Sequence, residues 1–543
     1  MKKTKQSQNK AHNKQEQTPL HRPEHLDVSN NWLYYGTILD RFIFQGLGAT
    51  IFFNLNFFID SIGNEYNNNW TPEEKQTNLA IQTCLYYLGS TIGALCAGFM
   101  TRTNTRNTFL ALRVCYLVSA LMITSNSIWV VVFGRFLSVF FFDSAMEVNI
   151  WSLYEILLPR HTEKVLTLFY FTHSITYFCT SLAAIYDDGS YWYWRVVYLV
   201  PQSLIVVFAI LSYFLIPYVN SVTYLMLSRT EEEVLEVMEL YYEPETARYI
   251  IEKYKRDYKQ ALDFLNPTKE FIKREEKSAL EADLVPKKPQ KSHQSHLESF
   301  FRDAKIYDKE VTHIALFSLT SMMCFNDAFY QFSLYFGAKS LDDKQAVEST
   351  KEWLLFSTIC KAISCFIVGA MGLSKRRRAT LLTSHALSLI FISMICVSFF
   401  VEDLSLSRIA VGFAPISTAG LYTVNYIYAN DVCPPSLFSI NHLLVRGTPT
   451  VYGLLLPLFL DFEGLSYQGV ALRLLLLVTI GWLCFFWLFR NMIETDGLGK
   501  DQVYLKLRGG VAEPSQDSLN EKKSEKAQLE LDELNGGNDI RVE

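Results

Sequence analysis

Two acidic side chains lie inside an apolar stretch of this chain, where a charge is costly. Asp143 and Glu147 stand four residues apart in Phe-Phe-Phe-Asp-Ser-Ala-Met-Glu, so they share one face of a helix. Carboxylates this close disfavour joint ionisation, and one of them can hold a proton. The pair predicts a cation-binding or proton-coupling site. The alternatives are a buried ion pair, with Arg41 or Lys361 as the basic partner, or a helix whose faces are assigned wrongly.

Further polar side chains interrupt other apolar stretches, and inside a membrane such groups usually face a cavity or a partner. Asp40 and Arg41 are adjacent, so on a helix they point in different directions and should serve different partners. The full set of candidates for binding a solute or a coupling proton is Asp40, Arg41, Gln45, Asp143, Glu147, Asn149, Asn326, Asp327, Gln331, Tyr422, Asn425, Tyr426 and Arg446.

The elements that must position these residues are long apolar helices. A hydrocarbon core of about 30 Å requires about 20 mostly apolar residues at about 1.5 Å each. Twelve spans of this kind are predicted, at 33–58, 77–100, 108–126, 128–157, 164–186, 194–217, 311–337, 352–373, 379–400, 406–430, 437–460 and 466–489. The predicted fold class is an all-α membrane protein, with twelve transmembrane helices in two pseudo-symmetric six-helix bundles and a long cytoplasmic central loop.

Polar segments flank and divide the spans. In the central segment, Thr230 precedes three Glu residues and an apolar periodicity, which predicts a short surface helix, and a second helix is expected near 245–265. The expected domains are a disordered cytoplasmic tail 1–32, an N-terminal bundle 33–217, a cytoplasmic linker 218–310 with short helices, a C-terminal bundle 311–490 and a disordered cytoplasmic tail 491–543.

Loop charges predict the orientation in the membrane. Lys and Arg concentrate in the loops after the second, fourth and eighth spans, whereas the opposite loops are acidic. By the positive-inside rule both termini are cytoplasmic. Asn69-Trp70-Thr71 is then a glycosylation sequon in the first outward loop. The N-terminal segment has no hydrophobic region of a cleavable signal peptide, so the first apolar helix is expected to direct insertion.

Enzyme and metal chemistry find no support in the sequence. Nine of the ten Cys residues fall inside apolar stretches, where they are expected to act as small buried hydrophobes. No CxxC, His/Cys ligand spacing, HExxH or Ser/His/Asp constellation is present. We therefore expect no cofactor, no metal and no catalytic activity. The expected partners are the lipid bilayer and a small organic solute, with a coupling proton as an option, and no nucleic acid.

The two halves of the chain repeat one pattern. Each has a glycine-ended helix, a basic loop, an outer Arg, and an inner acid before Pro, which indicates a duplicated six-helix unit. The first copy contains Gly98, Arg102, Arg106, Arg135, Glu155 and Pro159, and the second contains Gly369, Gly372, Lys375 to Arg378, Arg408, Asp431 and Pro434.

Over roughly residues 33–490 the chain resembles the major facilitator superfamily, and within it the organic-ion transporter and sugar porter branch. Gly134-Arg135-Phe136 followed by Glu155 keeps the family spacing in the fourth span, and Trp194-Arg195 opens the sixth span as in the family. The segment Pro-Tyr-Val-Asn-Ser-Val-Thr-Tyr-Leu-Met-Leu-Ser-Arg after the sixth span is similar to the family's Pro-Glu-Ser-Pro-Arg-Trp-Leu-Leu stretch.

The chain also departs from the family pattern. The basic loop after the second span lacks the family's Asp, one Gly and one Arg, and the second copy has Leu373 in place of the Asp. The small residues of the fourth span are replaced by Val139, Phe141 and Asp143, and the bulky Phe side chains there are expected to widen the contact with a neighbouring helix.

The resemblance implies secondary or facilitative transport of a small organic ion or sugar-like solute by alternating access, with spans one, four, seven and ten lining the cavity. It implies gating pairs of Arg102 or Arg106 with Glu155, and of Arg377 or Arg378 with Asp431; the alternative is ordinary positive-inside anchoring. Arg446 resembles a charged position that favours anionic solutes, or it is an Arg that snorkels towards the cytoplasm. The degenerate motifs favour the alternative function, a non-transporting receptor or scaffold on a transporter fold.

Overall fold

The computed structural model describes residues 27–48, 72–100, 104–186, 192–216, 222–265, 308–323, 344–370, 376–402, 404–433, 467–496, 498 and 500–507. Within these residues the regular secondary structure is α-helical. The helices are α1 Asn31–Gly48, α2 Pro72–Met100, α3 Thr105–Ile123, α4 Ile128–Ile156, α5 Pro159–Ile185, α6 Tyr193–Leu215, α7 Val222–Ser228, α8 Glu231–Glu239, α9 Pro244–Leu265, α10 Asp308–Met323, α11 Lys344–Ala370, α12 Arg377–Val401, α13 Leu404–Val432, α14 Tyr467–Asn491 and α15 Lys500–Leu507.

The helices agree with a multi-pass membrane protein. Five described segments are long and apolar enough to cross a membrane: Thr105–Ile123, Ile128–Ile156, Tyr193–Leu215, Arg377–Val401 and Ala471–Asn491. Helices α1 to α6 and α10 to α14 coincide, wholly or in part, with the predicted spans. The predicted span 437–460 lies outside the described residues, as do the second half of 311–337 and the end of 33–58.

Helices α2 and α4 pack at close range, contrary to the expected widening. A Cβ atom on Gly89 would lie 2.6 Å from the carbonyl oxygen of Phe136, and one on Gly93 would lie 2.6 Å from that of Phe140. The Ser144 hydroxyl donates to the Gly93 carbonyl at 3.0 Å. The prediction was wrong because the small residues are supplied by the partner helix: a Gly-x-x-x-Gly pair on α2 allows the contact that α4 no longer provides.

The two halves meet where α5 packs against α11. The Ser174 hydroxyl donates to the Cys365 sulfur at 3.4 Å, and the Phe171 and Phe366 rings lie 5.6 Å apart. These described contacts are apolar or weakly polar. They join an N-terminal bundle of α1 to α6 to a C-terminal set of α10 to α14.

The linker between the two halves contains the two predicted helices, α8 and α9. A capping box formed by Thr230 and Glu233 begins α8. The turn between the helices binds the segment before α1: the Ser29 amide donates to the Tyr241 carbonyl at 2.9 Å, and Val28 and Tyr242 form an antiparallel bridge. The predicted disorder of 1–32 is therefore wrong for its last residues, since the linker supplies their backbone partners.

The predicted disorder of 491–543 is also wrong at its start. Residues after α14 continue into α15, where Val503 is 1 % and Tyr504 is 5 % exposed. Burial of these two side chains orders a segment whose composition is otherwise polar. Residues 508–543 lie outside the described part of the chain.

Candidate functional site

A buried ion pair ties α1 to α3 and α6. Arg113 donates to both carboxylate oxygens of Asp40, with N–O distances of 2.9 and 2.7 Å, and the Ser212 hydroxyl donates to the same carboxylate at 2.7 Å. The side chains of Arg113 and Asp40 are 2 % and 1 % exposed. Both oxygens of Asp40 are thus engaged inside the N-terminal bundle, which favours a positioning role over direct contact with a solute.

Arg41 lies beside this pair and faces a different way, as expected for its neighbour on the helix. Its guanidinium carbon lies 3.9 Å from the centroid of the Phe109 ring, and that of Arg113 lies 4.0 Å from the same centroid. Phe44 adds a second ring, 5.1 Å from the Arg113 guanidinium. Cation–π contacts of this kind stabilise two guanidinium groups in a buried, aromatic setting.

Amide and imidazole groups continue the polar core towards α5. The Gln45 amide nitrogen lies 3.1 Å from Nδ1 of His173, and the two side chains are buried. The Asn149 amide of α4 reaches the Arg41 carbonyl at 3.5 Å. Three candidates from the sequence, Arg41, Gln45 and Asn149, therefore lie in one region between α1, α4 and α5.

The acidic pair of α4 is buried at depth. Asp143 and Glu147 are both 0 % exposed. They follow Arg135 by eight and twelve residues, which is about 12 and 18 Å along the helix. Lys361 on α11 is 3 % exposed and Arg41 is 1 % exposed. Both acids and both basic residues of the alternative reading are therefore interior, and the choice between proton coupling and ion pairing stays open.

The other solute candidates are only partly described. Helix α13 contains three of them, and Asn425 is buried at 3 % exposure. The side chains of Tyr422 and Tyr426 lie outside the description, as do the residues Asn326, Asp327, Gln331 and Arg446.

Where α12 begins and α13 ends, Arg377 forms a salt bridge with Asp431. The Thr495 hydroxyl donates to the same carboxylate at 2.7 Å and accepts from Arg377 at 3.3 Å. The Arg378 amide donates to Glu494 at 3.2 Å, and its guanidinium donates to the Phe489 carbonyl at 3.1 Å. The pair joins α12 to the end of α13, and the segment after α14 completes it.

The start of α3, the corresponding place in the N-terminal half, differs. Arg106 donates to the Tyr213 carbonyl of α6 at 2.6 Å, and its guanidinium carbon lies 4.1 Å from the Tyr213 ring centroid. The pairing of Arg106 with Glu155 stays a prediction, and Arg102 lies outside the described residues.

Several contributors were missed from the sequence. Arg113 lies in the middle of an apolar run, and that position alone signals a buried partner. Glu494 and Thr495 lie shortly after the last span, and no neighbouring motif in the sequence marks them as functional residues. Ser212 and His173 carry no sequence signal, because isolated Ser and His residues in apolar helices are common.

The chain matches the family model described as Major Facilitator Superfamily over residues 41–445. A comparison with curated proteins finds no match. Among solved structures, the proton:xylose symporter XylE bound to 6-bromo-6-deoxy-D-glucose is similar at a TM-score of 0.67 and 12% identity, covering 88% of this chain and 100% of that chain. The partially occluded inward-open form of the xylose transporter XylE from E. coli gives a TM-score of 0.56 at 12% identity, with 86% and 99% covered. Its inward-open form gives 0.55 at 12% identity, with 87% and 99% covered. Because the family model spans well over half of its length, the chain belongs to the major facilitator superfamily.

Proposed function

We propose that this membrane transporter carries a small organic solute, an organic ion or a sugar-like molecule, by alternating access of its two halves, with a proton as the coupling ion. The observation that carries the proposal is a set of buried polar side chains on α1 and α4. Asp143, Glu147, Asn149, Gln45 and Arg41 are all at most 1 % exposed. A membrane protein keeps so many desolvated polar groups at mid-depth where they bind a solute or an ion.

The inner network supports the alternating-access part of the proposal. Arg377, Asp431 and Thr495 hold three elements together at the cytoplasmic end of the C-terminal half. An ion pair in this position can break when the inner side opens and form again when it closes. Arg377 and Asp431 are 12% and 15% exposed, so water reaches the pair and lowers the cost of its opening.

For the proton, the proposal assigns Asp143 and Glu147. Two carboxylates one helical turn apart repel when both are ionised, so one of them takes up a proton more readily than an isolated acid. A basic partner, Arg41 or Lys361, would oppose that tendency by favouring the charged forms. The balance between them decides whether the pair titrates during transport.

The Glu147→Gln variant separates the readings. If the acids share a proton, the variant folds and the pH dependence of uptake becomes flat. If the acids form structural ion pairs, the variant leaves a buried basic group without its partner, which typically costs about 3–5 kcal/mol and lowers the yield of folded protein. A well-folded variant with unchanged pH dependence and unchanged solute affinity excludes both assignments for Glu147. Glu252→Gln, on the exposed face of α9, is the matched control.

The alternative, a receptor or scaffold that binds without transporting, draws its support from the lost glycines of α4. Gly89 and Gly93 weaken that argument, because they supply the close contact from α2. The decisive test is uptake of labelled organic anions, cations and sugars into proteoliposomes, with and without a pH gradient. Accumulation of one class establishes transport, whereas saturable binding of a solute without any uptake favours the receptor.

Orientation is part of the same proposal. Both termini and the linker 218–310 are placed in the cytoplasm, and Asn69 outside, on the strength of the loop charges. Single cysteines introduced at Val285 and Asn69 test this by labelling of intact cells with a membrane-impermeant reagent. Strong labelling at position 285 from outside overturns the orientation.

A further inference from the structure

A buried arginine in the outer half of the N-terminal bundle stands apart from the polar core described above. Arg135 on α4 is 1 % exposed, and none of its three guanidinium nitrogens makes a hydrogen bond to a residue that the structure describes. Its guanidinium carbon lies 6.0 Å from the centroid of the Tyr86 ring. A guanidinium cannot lose its proton in a protein, so its burial requires a compensating partner.

A second polar group lies in the same place. Tyr198 on α6 is 0 % exposed, it interacts electrostatically with Arg135, and its hydroxyl lies beside the Ser138 hydroxyl. Because the Ser138 hydroxyl already donates to Ser119 at 2.9 Å, Tyr198 is the donor in any contact with Ser138, and the same proton can be donated to a bound anion. The site therefore offers a guanidinium and a phenol, which are N–H and O–H donors.

Donors of this kind, with one positive charge and aromatic walls, suit a small anion. The nearest described acid on α4 is Asp143, eight residues further on, or about 12 Å along the helix. The site lies within the bundle, enclosed by α2, α3, α4 and α6, and a bulky organic solute would have to separate these helices. A monatomic anion needs far less room.

We propose that Arg135 and Tyr198 bind a chloride-sized anion inside the N-terminal bundle, with Tyr116 between Tyr198 and Asp143. The guanidinium supplies charge and N–H donors, and the Tyr198 hydroxyl supplies a further donor. The bound anion neutralises Arg135 and stabilises the packing of α4 against α6. Stability of the folded protein then depends on chloride.

The test is the melting temperature of the purified full-length protein in detergent, in sodium chloride against sodium gluconate at equal ionic strength. Gluconate is too large for the enclosed site. A ligand that binds only the folded state shifts the folding equilibrium by about elevenfold at ten times its Kd. Wild type is expected to melt at a higher temperature in chloride, with a saturable dependence on chloride concentration.

Three variants locate the effect. Arg135→Gln is expected to lose the chloride response, and Tyr198→Phe to need about tenfold more chloride, since it loses one hydrogen bond to a charged group. Arg195→Gln is the matched control: Arg195 is equally buried in the same bundle, but it donates to the Thr124 carbonyl at 3.2 Å, so its variant keeps the chloride response.

Equal melting of wild type in chloride and gluconate overturns the proposal, as does a chloride response of Tyr198→Phe equal to that of wild type. If Arg135→Gln does not fold, Tyr198→Phe decides, because only a hydroxyl is removed. The melting temperature reports binding and not flux. A protein that transports no solute but shows the chloride response supports the anion site and counts against the proposed function alone.

Discussion

Replacing Arg113 by Met tests the ion pair that ties α1 to α3. The variant keeps much of the side-chain volume but removes both Arg113 hydrogen bonds from the buried Asp40 carboxylate, while the Ser212 hydrogen bond remains. At the observed separations of 2.7 and 2.9 Å, an effective dielectric constant of about 20 gives an attraction of about 6 kcal/mol. Desolvation offsets part of it, and loss of one partner from a buried pair typically costs about 3–5 kcal/mol.

The assay is thermal unfolding of the purified protein in detergent, followed by tryptophan fluorescence and size-exclusion chromatography. Arg113→Met should lower the melting temperature strongly and reduce the monodisperse yield. Asp40→Leu should do the same, because it leaves the guanidinium in an apolar setting. The double variant should recover much of the loss, since replacing both members of a buried pair by apolar groups is often neutral or stabilising.

An exposed ion pair of the same chain provides the control. Lys255 and Glu231, in the linker between the two halves, are 40% and 61% exposed, and loss of such a pair costs under about 1 kcal/mol. Glu231→Gln should therefore melt close to wild type. The reasoning is refuted if Arg113→Met also melts close to wild type, or if the double variant loses as much as the two single variants together.

Three further predictions concern the inner network, the helix contact and the linker. Asp431→Asn should lower the population of the outward-open state, because Arg377 loses its nearest charge partner while the longer contact with Asp496, at 3.8 Å, remains; reduced thiol labelling from the outer side measures this, and unchanged labelling contradicts it. Gly93→Ala should destabilise the protein by about 1–3 kcal/mol in thermal unfolding, since α2 and α4 must separate, whereas Gly36→Ala meets only a flexible side-chain end at 3.1 Å and should be mild. Burial raises the pKa of Tyr242 well above its usual value, because the folded protein favours the neutral phenol. The contribution of Tyr242 to folding stability is therefore complete below about pH 10 and is lost at more alkaline pH. Tyr242→Phe should remove that alkaline sensitivity and speed proteolysis of the linker, because the hydrogen bond to the α4 carbonyl is lost; equal proteolysis at neutral pH contradicts the assigned contact.

The class of fold could be predicted because membrane helices leave a strong local signal. Length and apolar content identify a span without any knowledge of its neighbours, so the helices fall where the sequence placed them. The first linker helix, α8, was predictable for a similar reason, since Thr230 and Glu233 form its capping box within four residues. Interactions between residues close in sequence can be predicted from the sequence alone.

Pairing between helices was less accessible. Adjacent positions on α1 implied that Asp40 and Arg41 have different partners, but nothing in the sequence selects Arg113 or Phe109 for them. The glycine contact shows the same limit. Attention to α4 alone led to an expected widening, whereas the free space was provided by Gly89 and Gly93 on the other helix. Complementarity belongs to two surfaces, and a single sequence does not reveal which surfaces meet.

The distribution of strong and weak contacts bears on how the halves move. Inside the N-terminal half, a bidentate ion pair and close glycine contacts hold the helices together. Between the halves, the described contacts of α5 with α11 include a hydroxyl–thiol hydrogen bond and an aromatic pair, Ser174 with Cys365 and Phe171 with Phe366. Rigid-body rocking requires stronger contacts within each half than between the halves, because each half must keep its own packing while the interface between them rearranges. A variant that strengthens the interface, such as a cysteine pair between α5 and α11, should therefore arrest transport without lowering stability.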